Sequence, residues 1–68
     1  MRLSARNQLK GKVLSVKEGA VEAQVVLDVG GQQMTAVVTA DAVRELGIGA
    51  GSDVIAIIKA DSVLLAVE

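Results

Sequence analysis

The residues best suited to chemistry are concentrated near the N-terminus, in the stretch SARNQLKGKV at positions 4–13. It holds Arg6, Lys10 and Lys12, which are three of the seven basic residues in the chain, together with three neutral donor side chains. The first carboxylate is Glu18, so no acidic residue close in sequence offsets this positive charge. Cationic and neutral donors in one short run are suited to holding a small anion, because charge-assisted hydrogen bonds are the stronger kind.

Catalysis and bare-metal binding are disfavoured by the residue types that are missing. The chain contains no Cys, His or Tyr, which removes the usual general bases near neutral pH and the usual zinc ligands. The carboxylates are scattered without a paired spacing, and the glycine-rich stretches do not match a phosphate-binding loop. The sequence therefore predicts a protein that is not an enzyme and has neither a metal-cation site nor an organic cofactor.

Charge and hydropathy limit the partners and the location. The net charge is −1, so the chain has little excess positive charge with which to neutralise phosphates. It also has no aromatic residue on which nucleic-acid bases could stack. The N-terminus has no apolar signal region, and no apolar run approaches the roughly 20 residues of a membrane span. We expect a cytoplasmic chain with no membrane partner and no nucleic-acid partner.

The pattern of the chain predicts the elements that must position the donor-rich stretch. Residues 4–17 are predicted to form a first strand, followed by an alternating strand at 21–29, a Gly30-Gly31 turn and a return strand at 32–39. Thr39 is a predicted N-cap for a short helix that ends at Gly47. Strands at 54–58 and 62–67 complete the prediction, which is all-β with one short helix, in the order β-β-β-α-β-β. This is the arrangement of a five-stranded, OB-fold-like Greek-key barrel.

Size and composition predict self-association. The 68 residues form a single predicted domain, 1–68, in which hydrophobic residues make up 51%. Domains this small are marginal on their own, and this chain has no cysteine for a disulfide. Because the Val, Ala, Leu and Ile content exceeds what one small barrel can hide, we expect an obligate homo-oligomer.

Four segments carry a resemblance to a known family: the stretch at 4–13, Gly19-Ala20-Val21, the helix from Thr39 to Gly47 and the Ile58-Lys59-Ala60 triplet. In these segments the chain resembles the molbindins, which are small cytoplasmic molybdate-binding proteins. The resemblance covers essentially the whole chain. It implies a homohexamer built as a trimer of dimers, with molybdate or tungstate bound at subunit interfaces for intracellular storage or homeostasis. One kind of site is implied to use side chains from one chain and the helix start of its neighbour; these residues are Ser4, Arg6, Lys59, Thr39, Asp41 and Ala42.

Ala42 departs from the family pattern, because relatives often carry a serine there; the side-chain donor is lost and a backbone N–H remains. A second kind of site is implied near the Gly19-Ala20-Val21 turn, with Asn7 and Lys10 as candidate ligands. Two alternatives stay open: a nucleic-acid-binding barrel of the same architecture, and a purely structural oligomerisation domain.

Overall fold

A computed structural model describes residues 2–68. The four strands are β1 (Asn7–Glu18), β2 (Glu22–Val29), β3 (Gln32–Thr39) and β4 (Asp53–Ile58), and the helix α1 (Ala40–Leu46) lies between β3 and β4. All strand pairs are antiparallel, in the order β3-β2-β1-β4. A single 3-10 turn, Ala60–Ser62, follows β4. Neither helix in the described range has the length and hydropathy to span a membrane.

The long strand β1 is shared between two neighbours. Its first half pairs with β4 from Asn7 to Lys12, and its second half pairs with β2 from Lys12 to Glu18. Gly11 lies where β1 approaches β2 closely, since a Cβ at this position would meet the Asp28 carbonyl oxygen at 2.9 Å. A glycine inside a strand is typical of such a close backbone approach.

A β-bulge at Leu14 shifts by one residue the alternation of side chains between the two faces of β1. Val13 pairs with Leu27 and Val16 with Val25, but the register shifts between residues 13 and 15. The extra residue brings Val13 and Val16 to the same side of the sheet although they are three positions apart. Strict alternation would place these two side chains on opposite faces.

The core is small. It consists of Val13, Ala23, Val25, Leu27 and Val43, with half-buried residues from β3, β4 and the helix end packed around them. Alternation in β2 is confirmed, because Ala23, Val25 and Leu27 are all buried. Several large apolar residues remain outside this core, including Val21 at 74% exposure and Leu46 at 72%. A single chain therefore leaves much apolar surface in water, as the composition predicted.

The turns and caps follow the predicted chemistry. Gly30 and Gly31 both have positive φ angles, 60° and 89°, and join β2 to β3 as a two-residue hairpin turn. Thr39 caps α1 by accepting the Ala42 N–H at 3.0 Å. At the other end Gly47 has a φ of 66°, and the N–H of Ile48 donates to the Val43 carbonyl at 3.0 Å. These bonds form a Schellman cap.

Two predicted boundaries need correction. The first strand begins at Asn7 and not at residue 4, so Ser4 and Arg6 precede it. The predicted fifth strand at 62–67 is not a strand of this chain: residues 63–68 have no regular structure, and the four-stranded sheet is not closed into a barrel. The apolar pattern of that segment predicts a strand, but within residues 2–68 the segment pairs with no strand of the sheet.

Candidate functional site

One end of the β1–β4 ladder carries three polar residues, Ser4, Arg6 and Lys59, which we call the N-terminal half-site. The last pair of that ladder is Asn7 with Ile58, so the next positions on the two chains are Arg6 and Lys59. Ser4 and Arg6 are both exposed and flank the buried Ala5, so their side chains share the solvent side even though they are outside the strand. The structure therefore places the donor-rich stretch and Lys59 together, through adjacent antiparallel strands.

The cations of this end are not neutralised inside the chain. Among residues 2–68, ion pairs involve only Lys12, which lies 3.3 Å from Asp53, and Arg44. Arg6, Lys10 and Lys59 take part in no such pair. Uncompensated Arg and Lys at the same edge favour an anionic ligand.

The start of α1 supplies a second set of donors, Thr39, Asp41 and Ala42, which we call the helix-start half-site. The Thr39 hydroxyl accepts the Ala42 N–H, which leaves its own proton free to donate. The N–H of Ala40 donates to the Val21 carbonyl at 2.8 Å. Since Ala42 and Ala40 are engaged, the free backbone N–H of this first turn belongs to Asp41, and Ala42 acts by fixing the Thr39 side chain.

Arg44 offsets the negative charge of the helix-start half-site. Its guanidinium donates to the Asp41 carboxylate at 2.8 Å and also pairs with Glu18 on β1. Without Arg44, the carboxylates of Asp41 and Glu18 would have no partner cation at this end of the sheet. Residue-by-residue inspection of the sequence missed this role, although the spacing of three residues between Asp41 and Arg44 on a helix is a signal for such a pair.

The two half-sites lie at opposite ends of β1. The N-terminal half-site lies next to Asn7, the first residue of β1. The helix is instead joined by the Arg44–Glu18 ion pair to Glu18, the last residue of β1. Eleven residue steps at about 3.3 Å each give a contour length of about 36 Å along the strand. Because this exceeds the 34 Å longest dimension of the chain, β1 bends, and the contour length is an upper limit on the separation. Within one chain, the two half-sites are therefore attached to different ends of the same strand.

The residues of the predicted second site are also divided. Gly19, Ala20 and Val21 form the exposed turn between β1 and β2, next to the helix start, and Gly19 N–H donates to the Glu22 carbonyl at 2.8 Å. Asn7 and Lys10 lie in the first half of β1, at the far end. An open cavity of about 350 Å³ lies at the turn and is lined in part by Lys17, a basic residue that sequence analysis did not select.

Comparison with known proteins gives a consistent family. The model of the TOBE domain matches residues 3–65. A Haemophilus influenzae relative described as a probable molybdenum-pterin-binding protein is 49% identical over 69 aligned positions, covering 100% of both chains. The structure of a molybdate-binding protein from Sporomusa ovata is 33% identical, with a TM-score of 0.93, and covers 97% of this chain and 98% of that one.

A further structural neighbour was solved with its ligand. It is ModG, described as a cytoplasmic molybdate-binding protein with molybdate bound. The sequence identity is 48% and the TM-score 0.85, over 88% of this chain and 43% of the ModG chain.

Proposed function

The chain belongs to the TOBE-domain family, and from that premise we propose that it binds molybdate at interfaces between copies of itself. The relatives that support this are described as molybdenum-pterin-binding or molybdate-binding proteins. The proposal is a binding function without catalysis. It extends to tungstate, because that oxyanion has the same tetrahedral shape and charge.

The observation that carries the proposal is the separation of the two half-sites along β1. Each is chemically incomplete: the N-terminal half-site offers charge and the helix-start half-site offers neutral donors. A head-to-tail contact between two chains would place Arg6 of one copy opposite Thr39 of the next, and would complete the site. In a closed ring such a head-to-tail contact recurs at every interface, whereas a two-fold dimer would make the same Arg6–Thr39 pairing twice across one symmetric interface.

The donors match a tetrahedral dianion that has four acceptor oxygens and no proton to donate at neutral pH. Arg6 supplies a planar fork of N–H groups, Lys59 a point charge and Ser4 a hydroxyl. From the neighbour come the Thr39 hydroxyl and the Asp41 N–H. Every one of these groups donates, and the carboxylate of Asp41 is held by Arg44, 2.8 Å away.

We propose the free oxyanion, and not a molybdenum–pterin complex, as the ligand. A pterin ring is flat and is well held by stacking, but the chain has no aromatic residue. The cellular role that fits such a small binding protein is storage or homeostasis of molybdenum in the cytoplasm, in a hexamer formed as a trimer of dimers. The second kind of site would lie at the Gly19-Ala20-Val21 turn, with Asn7 and Lys10 delivered by another copy.

The direct test is calorimetric titration of the assembled protein with molybdate, with tungstate and sulfate run alongside. We expect heat with the first two anions, and a loss of affinity in Arg6→Ala. Lys12→Ala is the matched control, since it also removes one cation from the donor-rich stretch at 4–13 but breaks only an exposed ion pair. No heat with molybdate, or equal losses in both variants, would refute the site.

Subunit complementation tests the division of the site. Arg6→Ala and Thr39→Asp chains, each expressed alone, should lack functional sites. Co-expressed in one oligomer, they should recover about a quarter of them, because each half is intact with even odds when subunits mix at random. If both halves came from the same chain, mixing would recover none.

A further inference from the structure

Glu22 carries a carboxylate beside Thr39 of the helix-start half-site. In the β2–β3 ladder, Glu22 is the residue directly opposite Thr39. Residues paired in this way point to the same face of a sheet, with Cβ atoms about 4.5–5.5 Å apart. Both are exposed, on the face opposite to that of the buried Ala23. An anion held by the Thr39 hydroxyl would therefore lie close to a negative charge.

Two backbone hydrogen bonds fix the position of Glu22. The Ala40 N–H donates to the Val21 carbonyl at 2.8 Å, which extends the β2–β3 ladder by one pair beyond Glu22 and Thr39. On the other side, the Gly19 N–H donates to the Glu22 carbonyl at 2.8 Å. The backbone of Glu22 is therefore held against the start of α1, and the place of its carboxylate varies only with the side-chain rotamer.

The charge of Glu22 is not balanced within its own chain. Among residues 2–68, the cations that form ion pairs are Lys12 and Arg44, and neither of them pairs with Glu22. Lys17 lines the same open cavity as Glu22 but forms no ion pair with it. A cation for Glu22 must therefore come from another molecule.

We propose that Glu22 pairs with Arg6 of the neighbouring copy when no anion is bound, and that molybdate has to displace it. This inference rests on the proposed function, because that interface brings the N-terminal half-site of one copy to Thr39 of the next. A carboxylate and an oxyanion are acceptors of the same kind, and the guanidinium fork binds either of them. Glu22 is thus a competitor for the anion that is built into the site.

A competitor of this kind has two effects of opposite sign. In the absence of molybdate, the ion pair joins two copies and stabilises the assembled form. When molybdate binds, Glu22 loses its cation and stays near the dianion as a repelling charge. A unit charge about 8 Å from a dianion weakens its binding about fivefold at the dielectric constant of water and low ionic strength. Glu22 therefore holds the empty oligomer together and lowers its affinity for the anion.

The variant Glu22→Gln tests the inference, with Asp28→Asn as its matched control. Each removes one carboxylate from the same face of β2, and neither residue belongs to an ion pair within residues 2–68. Asp28 lies about 20 Å further along the strand, six steps of about 3.3 Å. Its loss therefore changes the net charge by the same amount without touching the site.

Two measurements are made on each variant at low ionic strength. The first is calorimetric titration with molybdate, at a protomer concentration at which the ligand-free proteins are assembled. We expect the Kd of Glu22→Gln to be about fivefold lower than that of Asp28→Asn. The second is the molar mass of the ligand-free protein on dilution, in which Glu22→Gln should dissociate at a higher protomer concentration than Asp28→Asn.

The opposite directions of the two changes distinguish a competitor from other roles. A purely structural role for Glu22 would weaken both assembly and binding, and a general charge effect would change the two variants equally. Either of these results, or one of the two expected changes without the other, would overturn the inference. If the unmodified protein binds molybdate and the variants do not differ, the role of Glu22 alone is refuted. No heat with the unmodified protein would refute the proposed function, and the competitor with it.

Discussion

Thr39 caps the helix and, under the proposed function, also binds molybdate; three substitutions separate these two roles. Its oxygen accepts the Ala42 N–H at 3.0 Å, and its proton is free for the anion. Thr39→Ala removes both roles, Thr39→Ser keeps both, and Thr39→Asp keeps only the cap. Aspartate is a good N-cap residue, but it has no proton to donate and adds a negative charge.

The expected magnitudes differ between the two roles. Loss of an N-cap costs about 1 kcal/mol, which lowers the Tm of a domain of this size by roughly 4–8 °C. A carboxylate about 4 Å from a dianion adds about 2 kcal/mol of repulsion even at the dielectric constant of water, twice the value for two unit charges. That corresponds to a loss of affinity of about 30-fold or more.

The assays are thermal unfolding without ligand, at one fixed protomer concentration, and calorimetric titration with molybdate. Thr39→Asp should unfold close to the unmodified protein and bind molybdate far more weakly. Thr39→Ala should be impaired in both, and Thr39→Ser in neither. If Thr39→Asp binds normally, the side chain does not face the anion; if it melts as early as Thr39→Ala, the cap assignment fails.

Three further outcomes are expected. Gly11→Ala should lower the free energy of unfolding, measured with denaturant, by about 1–3 kcal/mol, because its Cβ would meet the Asp28 carbonyl oxygen at 2.9 Å. Gly49→Ala is the control: open space surrounds Gly49, so the free energy of unfolding should change by less than about 0.5 kcal/mol. Arg44→Met should change unfolding free energy by less than about 1 kcal/mol, since its ion pairs are exposed, but should weaken molybdate binding in titration by freeing two carboxylates. Labelled single-stranded oligonucleotides should show no anisotropy change at physiological salt, because base stacking has no aromatic platform here; salt-sensitive binding would revive the nucleic-acid alternative.

Local signals in the sequence predicted most of the architecture. The alternation of β2, the Gly30-Gly31 hairpin and the caps at Thr39 and Gly47 are each set by residues within a few positions of one another, so the pattern specifies them. The bulge at Leu14 has no such signal, because it is the partner strand that decides which residue is left unpaired. In the sequence, Leu14 cannot be distinguished from an ordinary apolar residue of a strand.

The fifth strand and the division of the site depend on contacts that alternation does not describe. Val63, Leu65 and Val67 have the pattern of a strand whether their neighbour is their own sheet or that of another copy. Similarly, the residues Arg6, Lys59 and Thr39 can be selected by type and by family resemblance. That Arg6 and Lys59 follow the last pair of the β1–β4 ladder, and that Thr39 lies at the other end of β1, is shown only by the antiparallel register.

The length of β1 makes ligand binding and assembly a single equilibrium under the proposed function. A free chain holds two incomplete half-sites at opposite ends of a strand of 12 residues, so it has little affinity for the anion. Molybdate that binds only the assembled form must stabilise that form by mass action, by about 2.7 kcal/mol for each independent site when the free anion is at 100 times its dissociation constant. Dilution of the protein should therefore release the anion, and molybdate should allow the oligomer to persist at lower protomer concentrations. If both half-sites came together within one chain, molybdate binding would not depend on protein concentration.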